Sequence, residues 1–331
     1  MKALVTGSTG CLGRNVVERL ITDGHDVVAT GRNSAVGKKL RALGADFRAA
    51  DIADVTSLME AAKGCDTVFH CAALASPWGR YEDFHHANVR GTSAVISAVL
   101  RNNAALVHVS TPSIYFDFRD RFDIDEYDPL PTRQANHYAA TKLEAETLVD
   151  AAVERHGIAA ITLRPRAIFG PYDTALFPRV LAASANGRVP LVGFGNTLVD
   201  VSCVSNVVDA MLLAGRNAAE FPGRKYNITN GEPVHLRHLL ALAFERLGIP
   251  FRPRAIPYPA ARFAAVAMEM WASSRFGGKE PRLTPYTAGV LKHHQTLSIR
   301  RAVNELGYRP RKSTFEGVIE YANWRLSTDE S

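Results

Sequence analysis

Thr6-Gly7-Ser8-Thr9-Gly10-Cys11-Leu12-Gly13 stands between an apolar run, Ala3-Leu4-Val5, and a stretch, 13–23, whose apolar residues recur at helical spacing. A strand that feeds a helix through three glycines makes three demands on one turn. Gly7 permits the tight turn, Gly10 lets the backbone approach a pyrophosphate, and Gly13 lets helix and strand pack closely. The helix start adds free N–H groups and the positive end of its dipole. Thr9, Cys11 and Leu12 complete a loop expected to bind a dinucleotide. The plainer alternative is a tight strand–helix turn without a ligand.

The same alternation continues beyond that turn. Segments 2–6, 26–30, 45–49, 66–70, 105–109 and 159–163 read as strands, and 84–101 carries apolar residues at helical spacing. Apolar strands alternating with helices call for a parallel sheet covered on both faces, hence an α/β, Rossmann-type doubly wound fold. After about residue 164, Pro165, Gly170-Pro171, Pro178, Pro190 and Gly193–Gly195 break the pattern into short elements, and helical spacing dominates from His235. The expected division is a dinucleotide-binding domain of residues 1–165 plus about 198–230. A smaller, mainly helical substrate domain takes 166–197 and 231–331.

Two further sites follow from residue chemistry. The second strand ends Ala29-Thr30-Gly31-Arg32 with no carboxylate to accept from a ribose 2′-OH, while Arg32 can pair with a 2′-phosphate. NADP(H) is therefore favoured over NAD(H), unless Arg32 is an ordinary loop arginine. Tyr138-Ala139-Ala140-Thr141-Lys142 heads a helical stretch to about His156, and four-residue spacing puts phenol and ammonium on one face. A neighbouring cation should lower the phenol's pKa toward the working range. The pair's meaning comes from its place after the glycine loop and five strand–helix steps.

With these motifs in place the chain resembles the extended short-chain dehydrogenases/reductases, in particular their 3β-hydroxysteroid dehydrogenase-like branch, which includes bacterial 2-alkyl-3-oxoalkanoate reductases. The branch marks are Trp78-Gly79-Arg80-Tyr81-Glu82-Asp83-Phe84, Ser110-Thr111-Pro112-Ser113, Leu163-Arg164-Pro165 with Phe169-Gly170-Pro171, Val199-Asp200, and Leu306-Gly307-Tyr308-Arg309-Pro310. The resemblance implies Thr111 as the catalytic hydroxyl beside Tyr138 and Lys142, with Ser113 and Ser110 as fallbacks, and Asn88 as a supporting group. It implies cofactor contacts from Asp51-Ile52, from Cys71-Ala72-Ala73 and from Pro165. Pro112-Ser113 replaces the acidic pair of the family's dehydratases, and Val199 replaces the arginine that clamps a sugar diphosphate. A homodimer formed through 84–101 and 135–156 is common in the family and expected here.

Trp78, Tyr81, Phe84, Phe169 and Phe177 either line an apolar substrate pocket or pack as core. The apolar stretch 257–274, flanked by Arg252, Arg254, Arg262 and Arg275, reads as a cover or lid, and membrane contact is not expected. Residues 1–150 hold 16 basic and 19 acidic side chains and residues 151–331 hold 23 and 14, so the net +6 sits in the second half. That excess suits an anionic ligand or is simply a solvated surface; no motif points to nucleic acid. Four scattered cysteines fit buried thiols rather than disulfides or a metal, and no metal is expected. The expected activity is ketone/alcohol oxidoreduction on a small hydrophobic substrate by a cytoplasmic enzyme. A nucleotide-sugar epimerase with bound NAD is the enzymatic rival, disfavoured by Arg32 and Val199, and an NADP(H)-sensing regulator is the non-enzymatic one.

Overall fold

The computed structural model describes residues 1–184, 186–274 and 278–329. Seven parallel strands form the main sheet: β1 (Lys2–Thr6), β2 (Asp26–Gly31), β3 (Asp46–Ala49), β4 (Thr67–His70), β5 (Ala105–Val109), β6 (Ala160–Pro165) and β7 (Lys225–Ile228). Their spatial order is β7-β6-β5-β4-β1-β2-β3, so strand order reverses between β1 and β4. A crevice at the carboxyl ends of strands is the expected ligand site at such a reversal.

The central strands are mostly apolar because both faces are covered, whereas the edge strand β3 is largely exposed. In β1, Ala3 and Val5 pack with Val16, Val17 and Leu20 of helix α1 (Cys11–Thr22), while Leu4 points the other way, toward Val68, Val95 and Leu106. The remaining layers are helices α2 (Ser34–Ala42), α3 (Val55–Ala61), α4 (Gly91–Asn102), α5 (His137–His156) and α6 (Val204–Asn217). Side-chain caps set several starts. Asn33 accepts from the Ala35 and Val36 N–H groups at the head of α2, and Asn136 accepts from Ala139 N–H at 2.8 Å at the head of α5.

The helix ahead of α4 departs from a simple α-path. An α-turn at Tyr81–Phe84 runs into a π-helical segment, His85–Arg90, before α4 begins. Apolar spacing alone cannot show such a turn, because it adds one residue without changing composition.

The later chain builds smaller sheets beside the main one. Arg188–Val192 pairs with Arg252–Ile256, Ile168–Phe169 with Ser202–Cys203, and Gln295–Leu297 lies between Leu198–Val199 and Arg121–Ile124. A separate core there contains Phe169, Phe177, Leu240, Phe244, Val318 and Tyr321. Helix Tyr258–Ser273 covers part of this region, with Phe263, Met270 and Trp271 exposed on its outer side. Arg275 falls outside the described residues. Among those residues no helix is long and apolar enough to cross a membrane.

Candidate active site

The carboxyl ends of β1 to β4 enclose a cleft of about 450 Å³. Gly7, Thr9 and Gly10 form one wall, Thr30, Gly31 and Arg32 another, and Asp51, Ile52, Cys71, Ala72 and Ala73 the rest. Gly7 has φ +66°, and a Cβ there would lie 2.6 Å from the Ala72 nitrogen. At Gly13 a Cβ would come within 2.3 Å of the Gly7 carbonyl oxygen, so this glycine lets helix and loop touch. Gly10 differs: a Cβ would meet no protein atom closer than 3.4 Å. Protein packing does not require glycine there, and the open cleft beside it is what a Cβ would intrude upon.

Cys11 and Leu12 turn their side chains away from the cleft. The Cys11 thiol donates to the Pro171 carbonyl at 3.4 Å, burial pushes it up to about 12, and Leu12 enters the core. Only their backbone N–H groups, in the first turn of α1, remain for a ligand. Pro165 ends β6 opposite Ile228 and is buried. Arg32 is exposed at the cleft mouth, and among the described residues no acid lies within 4.0 Å of it. Sequence reading passed over His86, whose Nε2 meets Asp51 Oδ1 at 3.1 Å on the cleft wall. The His85-His86 pair on a helical pattern offered no signal for this contact.

The hydroxyl-bearing residues meet beyond the end of β5. Tyr138, in the first turn of α5, is hydrogen-bonded to Thr111. Thr111 Oγ1 donates to Ser113 Oγ at 3.0 Å, which also accepts from the Tyr286 hydroxyl at 2.8 Å. Tyr286 was not foreseen; it comes from helix Pro285–Lys292, 173 residues from Ser113. Ser110 is buried, its hydroxyl has no partner among the described residues, and it lies outside this row. Asn88 accepts from Leu74 N–H at 2.8 Å and donates to Thr141 Oγ1 at 3.0 Å, tying the turn after β4 to α5 between Tyr138 and Lys142.

One electrostatic expectation is corrected. Burial pushes the Tyr138 phenol up to about 12, with the Thr111 hydrogen bond pulling the other way. Lys142 does not offset this, because its Nζ donates to the Val109 carbonyl at 2.7 Å. Burial lowers Lys142 itself to about 8, against the nearby Glu146. Its charge also acts on Cys71, which lines the cleft.

The aromatic pocket is corrected too. Phe169 and Phe177 are fully buried, edge-on to each other at 5.5 Å, with Phe177 stacked on Tyr321 at 4.6 Å. They are core, because apolar spacing cannot tell an inward-facing pocket from packed interior. Tyr81 is 39% exposed and its hydroxyl donates to Glu144. Phe84 is buried under Tyr138, ring centroids 6.5 Å apart, and Trp78 is half-buried on the loop after β4.

The model of the NAD dependent epimerase/dehydratase family matches residues 3–229. The chain belongs to that family. A ketoreductase of Stigmatella aurantiaca, named for 4-hydroxy-2-methyl-3-oxo-4-farnesyl-3,4-dihydroquinoline-1-oxide, is 37% identical over 96% of this chain and 95% of its own. A 2-alkyl-3-oxoalkanoate reductase of Stenotrophomonas maltophilia is 36% identical over 96% and 97%. The solved structure of MoeE5 in complex with UDP-glucose and NAD shares the fold at TM-score 0.75 and 25% identity, over 99% of each chain. Like these relatives, this member of the epimerase/dehydratase family is an NAD(P)-binding oxidoreductase of the extended short-chain type.

Proposed function

We propose that this protein interconverts a ketone and a secondary alcohol on a hydrophobic substrate of 3-ketoacyl, alkyl or steroid-like kind, with NADP(H) preferred. The observation that carries this reading is the row Tyr138–Thr111–Ser113 beyond the end of β5, with Lys142 bound to the Val109 carbonyl there and its charge acting on Cys71 of the glycine-loop cleft. A bound nicotinamide supplies or accepts the hydride. Gly7, Thr9, Gly10 and the first-turn N–H groups of α1 would hold its pyrophosphate, and Arg32 would pair with a 2′-phosphate.

The chain's own residues then divide the remaining work. Thr111 fixes the substrate oxygen by hydrogen bonding. Tyr138, pushed up to about 12, stays protonated at neutrality and so has a proton to give to a developing alkoxide. Reduction is the direction for which this resting state is ready. Lys142 and Asn88 hold α5 against the ends of β4 and β5, keeping Tyr138 in place. Residues 1–165 with the returning segment form the cofactor half, and the later chain roofs the hydroxyl row.

The epimerase alternative loses support at Val199, which packs in the second core where a diphosphate-binding arginine would stand. The deciding experiment follows absorbance loss of NADPH and NADH against 3-ketoacyl, 2-alkyl-3-ketoacyl and 3-ketosteroid compounds. NADPH-preferring turnover of any of them is expected. No turnover, with NAD retained through purification, would reverse the order of the two readings.

A further inference from the structure

Ser113 is held by more groups than a turn residue needs. It lies in the 3₁₀ turn Pro112–Tyr115 beyond β5, and its Oγ accepts twice, from Thr111 Oγ1 at 3.0 Å and from the Tyr286 hydroxyl at 2.8 Å. A serine hydroxyl has two lone pairs and one hydrogen. Both lone pairs are therefore occupied, and among the described residues no group accepts the hydrogen. Thr111 is in the opposite position. Its one hydrogen goes to Ser113, and its oxygen accepts from the Ser113 N–H at 3.1 Å. Thr111 is also only 6% exposed, whereas Ser113, Tyr138 and Tyr286 are half-buried.

The turn is fastened on both sides, so this arrangement is not a passing one. Tyr115 donates to Asn227 Oδ1 at 3.2 Å and accepts from Arg164. Arg164 in turn donates through Nε and Nη2 to the two oxygens of Glu146 on α5, at 2.9 and 2.6 Å, which ties the turn to the helix that carries Tyr138. On the other side, the Tyr286 ring meets Phe116 edge-on at 5.5 Å. Helix Pro285–Lys292 sits so close to that loop that a Cβ at Gly289 would lie 2.7 Å from the Phe118 ring. Thr284 caps the helix by accepting from the Thr287 N–H at 3.0 Å. Beyond its end, Gln295 Oε1 accepts from Arg166, a second buried arginine just past β6. Tyr286 thus reaches Ser113 from a segment that is held at its start and after its end.

We propose that Ser113 donates the hydrogen bond that holds the substrate oxygen beside Tyr138, and that Tyr286 is a positioning residue that fixes the direction of that hydrogen. The assignment rests on the oxidoreductase reading and refines it: Thr111 orients Ser113, and its hold on the substrate oxygen is exerted through Ser113. A hydroxyl whose lone pairs are both filled acts only as a donor, and a fixed donor gains strength as negative charge builds on the oxygen it faces. In reduction the ketone carbon takes a hydride, and the electron pair of the broken π bond goes to the oxygen. Tyr138 passes its proton to that oxygen and is left as the phenolate. Ser113 keeps its own proton and contributes a hydrogen bond alone. Without the Tyr286 hydroxyl one lone pair of Ser113 is released, and its hydrogen gains a second direction in which to point.

The test follows kcat and KM for methyl 3-oxododecanoate with NADPH and the full-length protein. Ser113→Ala should lower kcat by about 100-fold, the value of one donor to a developing oxyanion, with KM changing less than kcat. Tyr286→Phe keeps the ring against Phe116 and should lower kcat by about tenfold, as for one hydrogen bond. The double variant should be within about twofold of Ser113→Ala, because Tyr286 acts only through Ser113. Ser113→Thr, which retains a hydroxyl, should recover part of the rate. A second readout needs no turnover. With oxidised NADP bound, the infrared C=O stretch of the same ester, labelled with carbon-13 at the ketone, should fall in frequency on binding to the wild type. The fall should be smaller in Tyr286→Phe and smallest in Ser113→Ala. A Tyr286 that served only the architecture would leave this band at its wild-type position. Single losses that multiply in the double variant, an unshifted band in the wild type, or a Ser113→Ala protein with kcat within about threefold of wild type would overturn the proposal. If the wild type reduces no ketone, the oxidoreductase reading fails instead, and the carbonyl band still decides whether Ser113 is the donor.

Discussion

The two sides of the site are built on different plans. On the cofactor side, Gly7, Gly10, Arg32, Asp51 and Cys71 all come from the first 73 residues and from turns at the ends of adjacent strands. Their instrument is the backbone: close glycine contacts, a helix start, small residues at a strand end. On the substrate side, Ser113, Tyr138 and Tyr286 arrive from separate segments and meet through side-chain atoms around Thr111. The first plan fixes a position for a ligand common to a whole family. The second can be rewritten one side chain at a time.

The sharpest way to break the comparison is at its junction. Tyr138→Phe should lower kcat by about 10²–10⁴, while NADPH affinity, read by fluorescence quenching, changes little because the glycine loop is untouched. Substantial retained turnover would remove Tyr138 from the chemistry.

Next comes the contrast between the two arginines. Glu146→Gln leaves Arg164 buried without its counter-ion and should cost about 3–5 kcal/mol in urea denaturation. Arg166→Gln, at a buried arginine with no carboxylate within 4.0 Å among the described residues, should show no such loss. Similar losses for both would mean that both arginines are architectural.

A smaller effect tests the cofactor side. Arg32→Ser should weaken NADPH relative to NADH by about 10–100-fold, the value of a charge-assisted contact. An unchanged preference, measured as the ratio of kcat/KM, would place the phosphate reader elsewhere.

The mildest is a pH profile. Lys142, lowered to about 8, carries its charge below that pH and loses it above, so turnover should decline above about pH 8. Lys142→Arg, which stays charged, should flatten that decline even at reduced rate. Folding stability should move the other way. Between about 8 and 10.5 the unfolded lysine still holds a proton that the folded one has released, so this group's contribution rises with pH.

The contrast also explains what could be read in advance. The six strands, the glycine turn and the Tyr138–Lys142 spacing are local, written in periods of two or four residues. Arg32, at the mouth of the cleft, is local in the same sense because it directly follows β2. Tyr286 and Gln295 are not, since nothing in their own neighbourhoods announces a partner more than a hundred residues away. Phe169 and Phe177 stay open between pocket and core in the sequence because an aromatic side chain looks the same whether it faces substrate or Tyr321. The proton balance of Tyr138 and Lys142 escaped for a similar reason: spacing places two groups on one helix face but does not say which carbonyl the ammonium will choose.

The π-turn at His85–Arg90 gives this helix a length that matters. It carries one residue more than an α-path would need, and with it His86 reaches Asp51 while Asn88 reaches Leu74 and Thr141. Deleting a single residue there would relax the turn to α geometry and rotate one set of contacts against the other by about 100°. In most exposed helices a one-residue deletion is absorbed by the next loop. Here it would pull the cofactor wall and the catalytic helix out of phase, so this segment should tolerate changes of letter far better than changes of length.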